Sequence, residues 1–227
     1  MPRSVFITGT DTGIGKTRTS VALLRALTAR GIRAVGMKPV ASGCEWQDGH
    51  WSNEDARALI AASTPPPAYA LCNPYALRDA VAPHLAAAGE GVSIALPPIQ
   101  TAYAALAASG DCVVVEGAGG WAVPLGPQLM QADLPRALRL PVILVVGLRL
   151  GCISHALLSA RAIRADGCEL LGWIGNAIDP QQPLQADNVA TLRERLDAPY
   201  LGLLPHGLDT DTGAALDAAV AALTPSA

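Results

Sequence analysis

The chain has 227 residues, of which 51% are hydrophobic, and a formal net charge of −3 at pH 7. This length and apolar content suit a single α/β domain, residues 1–227, with a large aliphatic core. The slightly acidic balance gives no electrostatic basis for binding nucleic acid. The five cysteines are scattered without a C-x-x-C spacing, which favours reduced thiols over a zinc site or a secreted disulfide framework.

The apolar segments do not have the form of targeting or membrane segments. The first apolar run leads into a Gly-rich loop rather than a cleavage site, so we expect no signal peptide. The longest candidate span, residues 141–150, is too short and is interrupted by Gly147 and Arg149. We therefore expect a cytoplasmic protein that does not bind a membrane.

Apolar stretches alternate with helical patterns along the chain. Strands are predicted at residues 4–8, 34–38, 112–115, 142–146, 170–176 and 200–204. Helices are predicted at residues 16–30, 53–62, 98–108, 154–165, 189–196 and 214–223. Residues 68–96 are expected to be rich in loops, with one weak helix. The alternation predicts an α/β fold in which helices cover both faces of a parallel sheet.

The first predicted strand is followed by a loop typical of phosphate binding. Residues 9–17 read Gly-Thr-Asp-Thr-Gly-Ile-Gly-Lys-Thr and lead into a helix pattern. Small residues let backbone N–H groups surround phosphate oxygens, and a helix starting near Gly15 directs its positive end at them. Lys16 would neutralise the β- and γ-phosphates, and the Thr17 hydroxyl would face Mg²⁺. The spacing is one residue longer than the usual pattern, so a Gly-rich turn that merely precedes Lys-Thr is the alternative.

Ligands of such sheets gather at the carboxyl ends of the strands, where further polar residues are predicted. Lys38 lies at the end of the second strand and could reach a transferring phosphoryl group, although a lone lysine there is more often solvated. Glu116 follows the third strand directly and stands beside glycines, which suits a carboxylate near a metal, and an ordinary solvated acid is the alternative. Asp55 lies at a helix start, where it could instead serve the helix dipole. Asn176 ends a later strand.

Four blocks, in this order along the chain, resemble the dethiobiotin synthetase family. They are residues 9–17, 38–43 (Lys-Pro-Val-Ala-Ser-Gly), 115–121 (Val-Glu-Gly-Ala-Gly-Gly-Trp) and 150–153 (Leu-Gly-Cys-Ile). The resemblance extends from about residue 5 to residue 205. It implies a P-loop NTPase fold and a ligase of biotin biosynthesis, which converts 7,8-diaminononanoate, CO2 and ATP into dethiobiotin, ADP and phosphate. It also implies Mg²⁺, with ATP as co-substrate, and a homodimer with sites at its interface.

The resemblance also implies roles for matching positions. Lys16, Lys38 and Thr12 would be catalytic, and Thr17, Asp55 and Glu116 would hold Mg²⁺. The diamine substrate would contact Ser42 and, on the partner subunit, the turn of Gly151, Cys152, Ile153 and Ser154. Asn176 would bind the adenine edge, and residues 205–207 would close over the base. The residues implied in nucleotide binding are Gly13, Ile14, Gly15, Lys16, Thr17, Arg18, Asp55, Glu116, Gly117, Ala118, Gly119, Asn176, Ala177, Pro205, His206 and Gly207.

Some positions differ from residues that are common in the family. Gly13 and Arg149 stand where Glu and Lys are common, and Asn188 and Thr212 fall near positions of an aromatic residue and a Glu. These differences concern the substrate tail and the nucleotide affinity rather than the phosphate or metal ligands.

A regulatory P-loop ATPase switch of the partition or cell-division type is the main alternative function. Such switches carry a Lys early in the loop, where this chain has Asp11, and their membrane-binding forms end in a basic amphipathic helix. Residues 214–227 contain no Lys or Arg. An amidotransferase acting on a corrin acid is a second alternative, but such proteins usually carry a glutaminase domain for which this chain has no room.

Overall fold

The computed structural model describes residues 3–207 and 214–224. Its strands are β1 (Val5–Gly9), β2 (Ala34–Met37), β3 (Val40–Ala41), β4 (Glu45–Gln47), β5 (His50–Ser52), β6 (Tyr75–Ala76), β7 (Cys112–Glu116), β8 (Val142–Leu148), β9 (Leu170–Ala177) and β10 (Tyr200–Leu204). Its helices are α1 (Lys16–Thr28), α2 (Glu54–Ala62), α3 (Tyr69–Cys72), α4 (Pro83–Gly89), α5 (Leu96–Ser109), α6 (Asp133–Leu138), α7 (Cys152–Ala165), α8 (Gln185–Arg195) and α9 (Asp217–Leu223), the last preceded by a 3₁₀ turn, Ala214–Leu216.

A six-stranded sheet with the strand order β10-β9-β8-β1-β7-β2 organises these elements. All of its strand pairs are parallel. In the centre, Ile7 of β1 lies opposite Glu116 of β7 on one side and Ile143 of β8 on the other. The carboxyl ends of the strands therefore meet at one edge of the sheet, where ligands of α/β proteins bind.

Helices cover the sheet on both faces because its strands are apolar on both sides. Val5 and Ile7 of β1 are buried in one cluster with Leu23 of α1. Phe6, between them, is buried in the opposite cluster with Leu106 of α5. This alternation places the helices α1, α2 and α9 against one face and α5, α7 and α8 against the other. The predicted α/β fold is confirmed.

The main differences from the sequence prediction lie between the principal strands. Residues 68–96, which were expected to be rich in loops with one weak helix, contain two helices, α3 and α4, and the strand β6. The hairpin of β4 and β5 and the short helix α6 were not predicted. In the hairpin Trp46 pairs with Trp51 and stays 60% exposed, so no alternation of buried and exposed residues marks these strands. Within residues 3–207 and 214–224, no helix combines the length and the apolarity needed to span a bilayer.

Candidate functional site

The loop between β1 and α1 lies at the edge of the sheet and has the features of an anion-binding loop. Gly15 precedes α1 with φ 85°, in the left-handed region. A Cβ atom there would lie 2.0 Å from Nδ2 of Asn176, so both the conformation and the available space require glycine. Lys16 begins the helix, is buried, and donates from Nζ to the carbonyl oxygen of Asp11 at 3.0 Å. A helix N-terminus beside an ammonium group suits phosphate.

Ile14 anchors this loop to the core. Its side chain is buried, and Cβ atoms at Gly9 and Gly147 would each lie 2.7 Å from it. Its carbonyl oxygen accepts a hydrogen bond from Nδ2 of Asn176 at 2.8 Å. Ile14 can therefore offer a nucleotide its backbone N–H but not its side chain.

Four of the predicted site residues meet where β2 and β7 end. Nζ of Lys38 lies 2.6 Å from Oε1 of Glu116 and 2.8 Å from Oδ2 of Asp55. Oγ1 of Thr17 lies 2.6 Å from Oδ1 of Asp55 and 2.9 Å from the same Glu116 oxygen. The threonine hydroxyl has one proton, so it donates to one of the two carboxylates at a time. We call these four residues the carboxylate cluster.

Burial and ion pairing have opposite effects on the charges of this region. Burial disfavours the ammonium form of Lys38, but Glu116 and Asp55 outweigh this effect and raise the Lys38 pKa. Burial also disfavours the ionised form of Asp55, but Lys38 outweighs it and lowers the Asp55 pKa. For Lys16, burial and the nearby charge of Lys38 lower the pKa to about 8, because the carboxylates offset them only in part. Lys38 thus keeps its proton more firmly than Lys16.

The carboxylate cluster fits a divalent cation. Oε2 of Glu116 is buried and has no hydrogen-bond partner among the described residues. An unpartnered buried carboxylate oxygen is costly, and a cation would satisfy it. Mg²⁺ prefers oxygen ligands and usually completes its octahedral coordination with phosphate and water. Thr17, Asp55 and Glu116 are therefore suited to the metal-binding role that the resemblance implies.

A cleft of about 380 Å³ lies over the phosphate loop and the carboxylate cluster. The predicted residues that line it are Thr12, Gly13, Gly15, Lys16, Thr17, Lys38, Ser42, Asp55, Ala118 and Gly119. Ala41 and Asn53 also line it and were not predicted as site residues. Asn53 caps α2 by accepting a hydrogen bond from the N–H of Ala56 at 3.3 Å. A capping role is enough to explain an asparagine before a helix, so no sequence signal marks Asn53 as a residue of the cleft.

The glycine loop after β7 is held by Gln131, which sequence analysis missed. Its Oε1 accepts from the N–H of Ala118 at 2.6 Å, and its Nε2 donates to the carbonyl oxygen of Gly120. Gln131 is buried, and a Cβ atom at Gly117 would lie 2.8 Å from it. The glutamine thus shapes the loop beside Glu116. It lies in a loop-rich stretch with no periodic pattern, so no sequence signal marked this contact.

The residues predicted to bind the base lie where β9 and β10 end. Asn176 is buried, and its Oδ1 accepts from Nη1 of Arg18 at 2.8 Å. Arg18 also donates from Nη2 to the carbonyl oxygen of Gly207 at 2.6 Å. The other predicted residues here are the buried Ala177 and the exposed Pro205 and His206. Arg18 thus connects the start of α1 with both strand ends.

The turn predicted to bind the substrate carboxylate begins α7 and is not part of the lining of the cleft. Gly151 precedes the helix with φ 93°. The side chain of Cys152 is buried, and its N–H donates to the carbonyl oxygen of Arg149 at 3.0 Å. The N–H groups of Ile153 and Ser154 are therefore the better candidates for binding a carboxylate.

The positions that differ from the family pattern have varied surroundings. Gly13 has φ 71°, and a Cβ atom added there meets no atom within 4 Å, so a side chain would have space but a strained backbone. Arg149 forms an ion pair with Asp11, and both side chains are half-exposed, so the pair contributes little to stability. Asn188 lies in α8. Thr212 lies outside the described residues.

Comparison with known protein sequences identifies close relatives over nearly the whole chain. The sequence model of a family described as "AAA domain" matches residues 3–212. A protein of Xanthomonas oryzae pv. oryzae, named ATP-dependent dethiobiotin synthetase BioD, is 58% identical over 94% of this chain and 95% of its own length. A protein of the same name from Xylella fastidiosa is 60% identical over 88% of this chain and 89% of its own length.

Solved structures with a similar fold have much lower sequence identity. The MinC:MinD cell division protein complex of Aquifex aeolicus gives a TM-score of 0.55 at 13% identity, covering 94% of this chain and 86% of that chain. Chloroplast FtsY of Physcomitrella patens gives a TM-score of 0.52 at 17% identity, covering 99% and 66% of the two chains. At such identities the likeness shows the fold alone.

Proposed function

This chain belongs to the ATP-dependent dethiobiotin synthetase family, and we propose that its cleft carries out the complete ligase reaction of biotin biosynthesis. The substrates are 7,8-diaminononanoate, CO2 and ATP, and the products are dethiobiotin, ADP and phosphate. The observation that carries this proposal is the convergence of Lys38, Asp55, Glu116 and Thr17 beside the phosphate loop. A regulatory switch is disfavoured because the 58–60% identical relatives are named as synthetases.

The reaction proceeds in three steps. One amine of the diamine captures CO2 as a carbamate and releases a proton. A carbamate oxygen then attacks the γ-phosphorus of ATP, ADP leaves, and a carbamic–phosphoric anhydride forms. The second amine attacks the carbonyl carbon, phosphate leaves with loss of a proton, and the cyclic urea closes. Positioning and charge neutralisation supply most of the catalysis in such phosphoryl transfers.

The residues of the cleft have distinct tasks in this proposal. Lys16 and the first-turn N–H groups of α1 bind the phosphates. Thr17, Asp55 and Glu116 hold Mg²⁺, which when bound neutralises charge on the triphosphate. Lys38 stabilises the negative charge of the carbamate and of the transferring phosphoryl group. The lining residues Thr12 and Ser42 contact these charges and the diamine, respectively.

We propose that the base of ATP lies beside Asn176, with residues 205–207 next to it. The support is their position at the carboxyl ends of β9 and β10, adjacent to the start of α1. We also propose a cytoplasmic location, because the five cysteines are free, as is usual in a reducing compartment.

A homodimer would complete the site. The diamine is long and has one carboxylate far from its amines, so it needs an anchor distant from the phosphate loop. The turn of residues 151–154 offers N–H groups for that anchor from a second copy. Leu150, beside the turn, is 98% exposed, and Leu158 on α7 is 59% exposed. A second copy packed against this turn would remove the apolar surface of both side chains from water.

Mixed dimers test the shared site. Ser154→Asp should repel the substrate carboxylate and raise the KM for the diamine, while leaving ATP binding nearly unchanged. Lys16→Met should inactivate its own phosphate site. Mixing the two variants should restore part of the activity, because one site of each mixed dimer combines an intact Lys16 with an intact turn. Failure to recover activity after proven subunit exchange would refute the shared site.

The reaction itself is tested by measuring ADP release in the presence of Mg²⁺ and bicarbonate, with and without 7,8-diaminononanoate. We expect ADP release that depends on the diamine, together with dethiobiotin detected by mass spectrometry. ATP hydrolysis that is indifferent to the diamine would instead support a regulatory ATPase.

A further inference from the structure

The resemblance implies that Arg18 belongs to the nucleotide site, but the steps of the reaction assign no task to its charge. Arg18 follows Thr17 in the first turn of α1. Its Nη1 donates to Oδ1 of Asn176 at 2.8 Å, and its Nη2 donates to the carbonyl oxygen of Gly207 at 2.6 Å. One planar guanidinium group thus donates both to Asn176, at the end of β9, and to Gly207, after β10.

The orientation of the Asn176 amide is fixed by its other contact. Nδ2 of Asn176 donates to the carbonyl oxygen of Ile14 at 2.8 Å, so Oδ1 faces the guanidinium group. The reversed amide would place two oxygens together at Ile14 and two donors together at Arg18. Asn176 is also buried, so it has little freedom to turn toward water. The base side of the site therefore presents two fixed acceptors, and Arg18 supplies donors to both.

Purine bases differ in what they could offer these acceptors. Adenine carries an exocyclic amine, which is a donor, whereas a 6-oxo purine carries a carbonyl oxygen at the same place, which is an acceptor. The amine of adenine could replace the guanidinium group on Asn176 and Gly207, but a 6-oxo group could not. A guanidinium group that stays in place could donate to O6 and N7 of a 6-oxo purine, as arginine does to guanine.

We infer that Arg18 competes with the exocyclic amine of adenine for Oδ1 of Asn176 and the carbonyl oxygen of Gly207. Arg18 thereby weakens ATP binding and reduces the discrimination of this chain against 6-oxo purine nucleotides. The inference rests on the proposed function, which places the base of ATP at these acceptors. It makes Arg18 a determinant of base specificity rather than a catalytic residue.

The test compares the dissociation constants of ATP and inosine triphosphate, measured by isothermal titration calorimetry with Mg²⁺ and without the diamine. Arg18→Met removes the donors and keeps most of the side-chain stem, and Arg18→Lys keeps a positive charge but loses the planar fork. Arg25→Met is the matched control, because Arg25 is an exposed arginine on the same helix. Thermal unfolding of each variant establishes that it is folded.

We expect Arg18→Met to bind ATP about fivefold more tightly and inosine triphosphate more weakly, so that the preference for ATP rises about tenfold. Arg18→Lys should shift the preference in the same direction, and Arg25→Met should leave it unchanged. A purely structural or general electrostatic role of Arg18 would change both affinities by the same factor, and this result would overturn the inference. Weaker ATP binding in both Arg18 variants would overturn it as well.

These outcomes can be separated from a failure of the proposed function. If the wild-type chain bound no ATP, both the proposed function and the role of Arg18 would be refuted. An unchanged preference, combined with ADP release that depends on the diamine, would refute the role of Arg18 alone.

Discussion

The ion pair between Lys38 and Glu116 makes a prediction about stability as well as about catalysis. The side chain of Glu116 is fully buried, that of Lys38 is 5% exposed, and their charged atoms lie 2.6 Å apart. Removing one partner of a buried ion pair typically destabilises a protein by about 3–5 kcal/mol. The side chain of Asp55, which also pairs with Lys38, is 38% exposed, so solvent can partly compensate it when its partner is removed. We therefore expect the lower limit, about 3 kcal/mol, for Lys38→Met.

Thermal unfolding measures this loss. In a protein of this size, each kcal/mol shifts the Tm by about 2–4 °C, so Lys38→Met should lower the Tm by about 6–12 °C. Mg²⁺ should raise the Tm of Lys38→Met more than that of the wild type, because a cation on Asp55 and Glu116 replaces the lost ammonium group. Lys38→Arg keeps the positive charge and should lose much less stability, which makes it the matched control.

The same variant separates catalysis from nucleotide binding. Lys38 is proposed to act on charge that develops during phosphoryl transfer, so its loss should lower kcat by about 10²–10³ and change the Kd for ATP much less. A Lys38→Met protein with normal turnover would remove Lys38 from the mechanism. A Tm equal to that of the wild type, with the same response to Mg²⁺, would refute the argument from the buried ion pair.

Three further changes examine the phosphate and metal sites. Lys16 of the free chain loses its proton above about pH 8, whereas bound phosphate favours its ammonium form. ATP affinity should therefore fall by up to about tenfold per pH unit above about pH 8. A Kd for ATP that stays constant to pH 10 would contradict this. Asp55→Asn should raise the Mg²⁺ concentration needed for half-maximal activity without unfolding the chain, and a titration identical to that of the wild type would leave Asp55 with its helix-start role only. Gly15→Ala should weaken ATP binding and lower the Tm, because it needs φ 85° and brings a Cβ atom to 2.0 Å from Asn176; wild-type values of both quantities would show that the loop can relax.

The main sheet was predictable because its strands are buried on both faces. Such strands appear in the sequence as short continuous apolar runs, as in residues 142–146, and the helices between them have an apolar stripe. The elements between the main strands do not obey these patterns. The helix α6 has six residues, two of them buried, and the strands β4 and β5 have three residues each, of which only Ser52 is buried, so these elements give no periodic signal.

The convergence of side chains at the candidate site was predictable where a residue belongs to a contiguous motif. Lys16 and Thr17 follow the glycine loop directly, and Glu116 precedes its own glycines. The contacts of Gln131 with the glycine loop and of Arg18 with Gly207 could not be predicted in this way. The hydrogen-bond partners of these side chains are distant along the chain or lie in irregular backbone. No residue spacing within either segment therefore predicts the contact.

The two lysines of the sequence have partners of different charge in the cleft. Lys38 faces two carboxylates, whereas Lys16 donates to the neutral carbonyl oxygen of Asp11. The two ammonium groups and the carboxylates of Asp55 and Glu116 therefore sum to no net charge. A triphosphate entering a neutral cleft gains little from long-range attraction, so its binding depends on Lys16, on the N–H groups of α1 and on an added cation at the carboxylates. A cation held by the carboxylates would also satisfy the unpartnered oxygen of Glu116. Because its positive charge attracts the triphosphate, the cation should strengthen nucleotide binding, and thermodynamic linkage then requires the nucleotide to strengthen binding of the cation by the same factor.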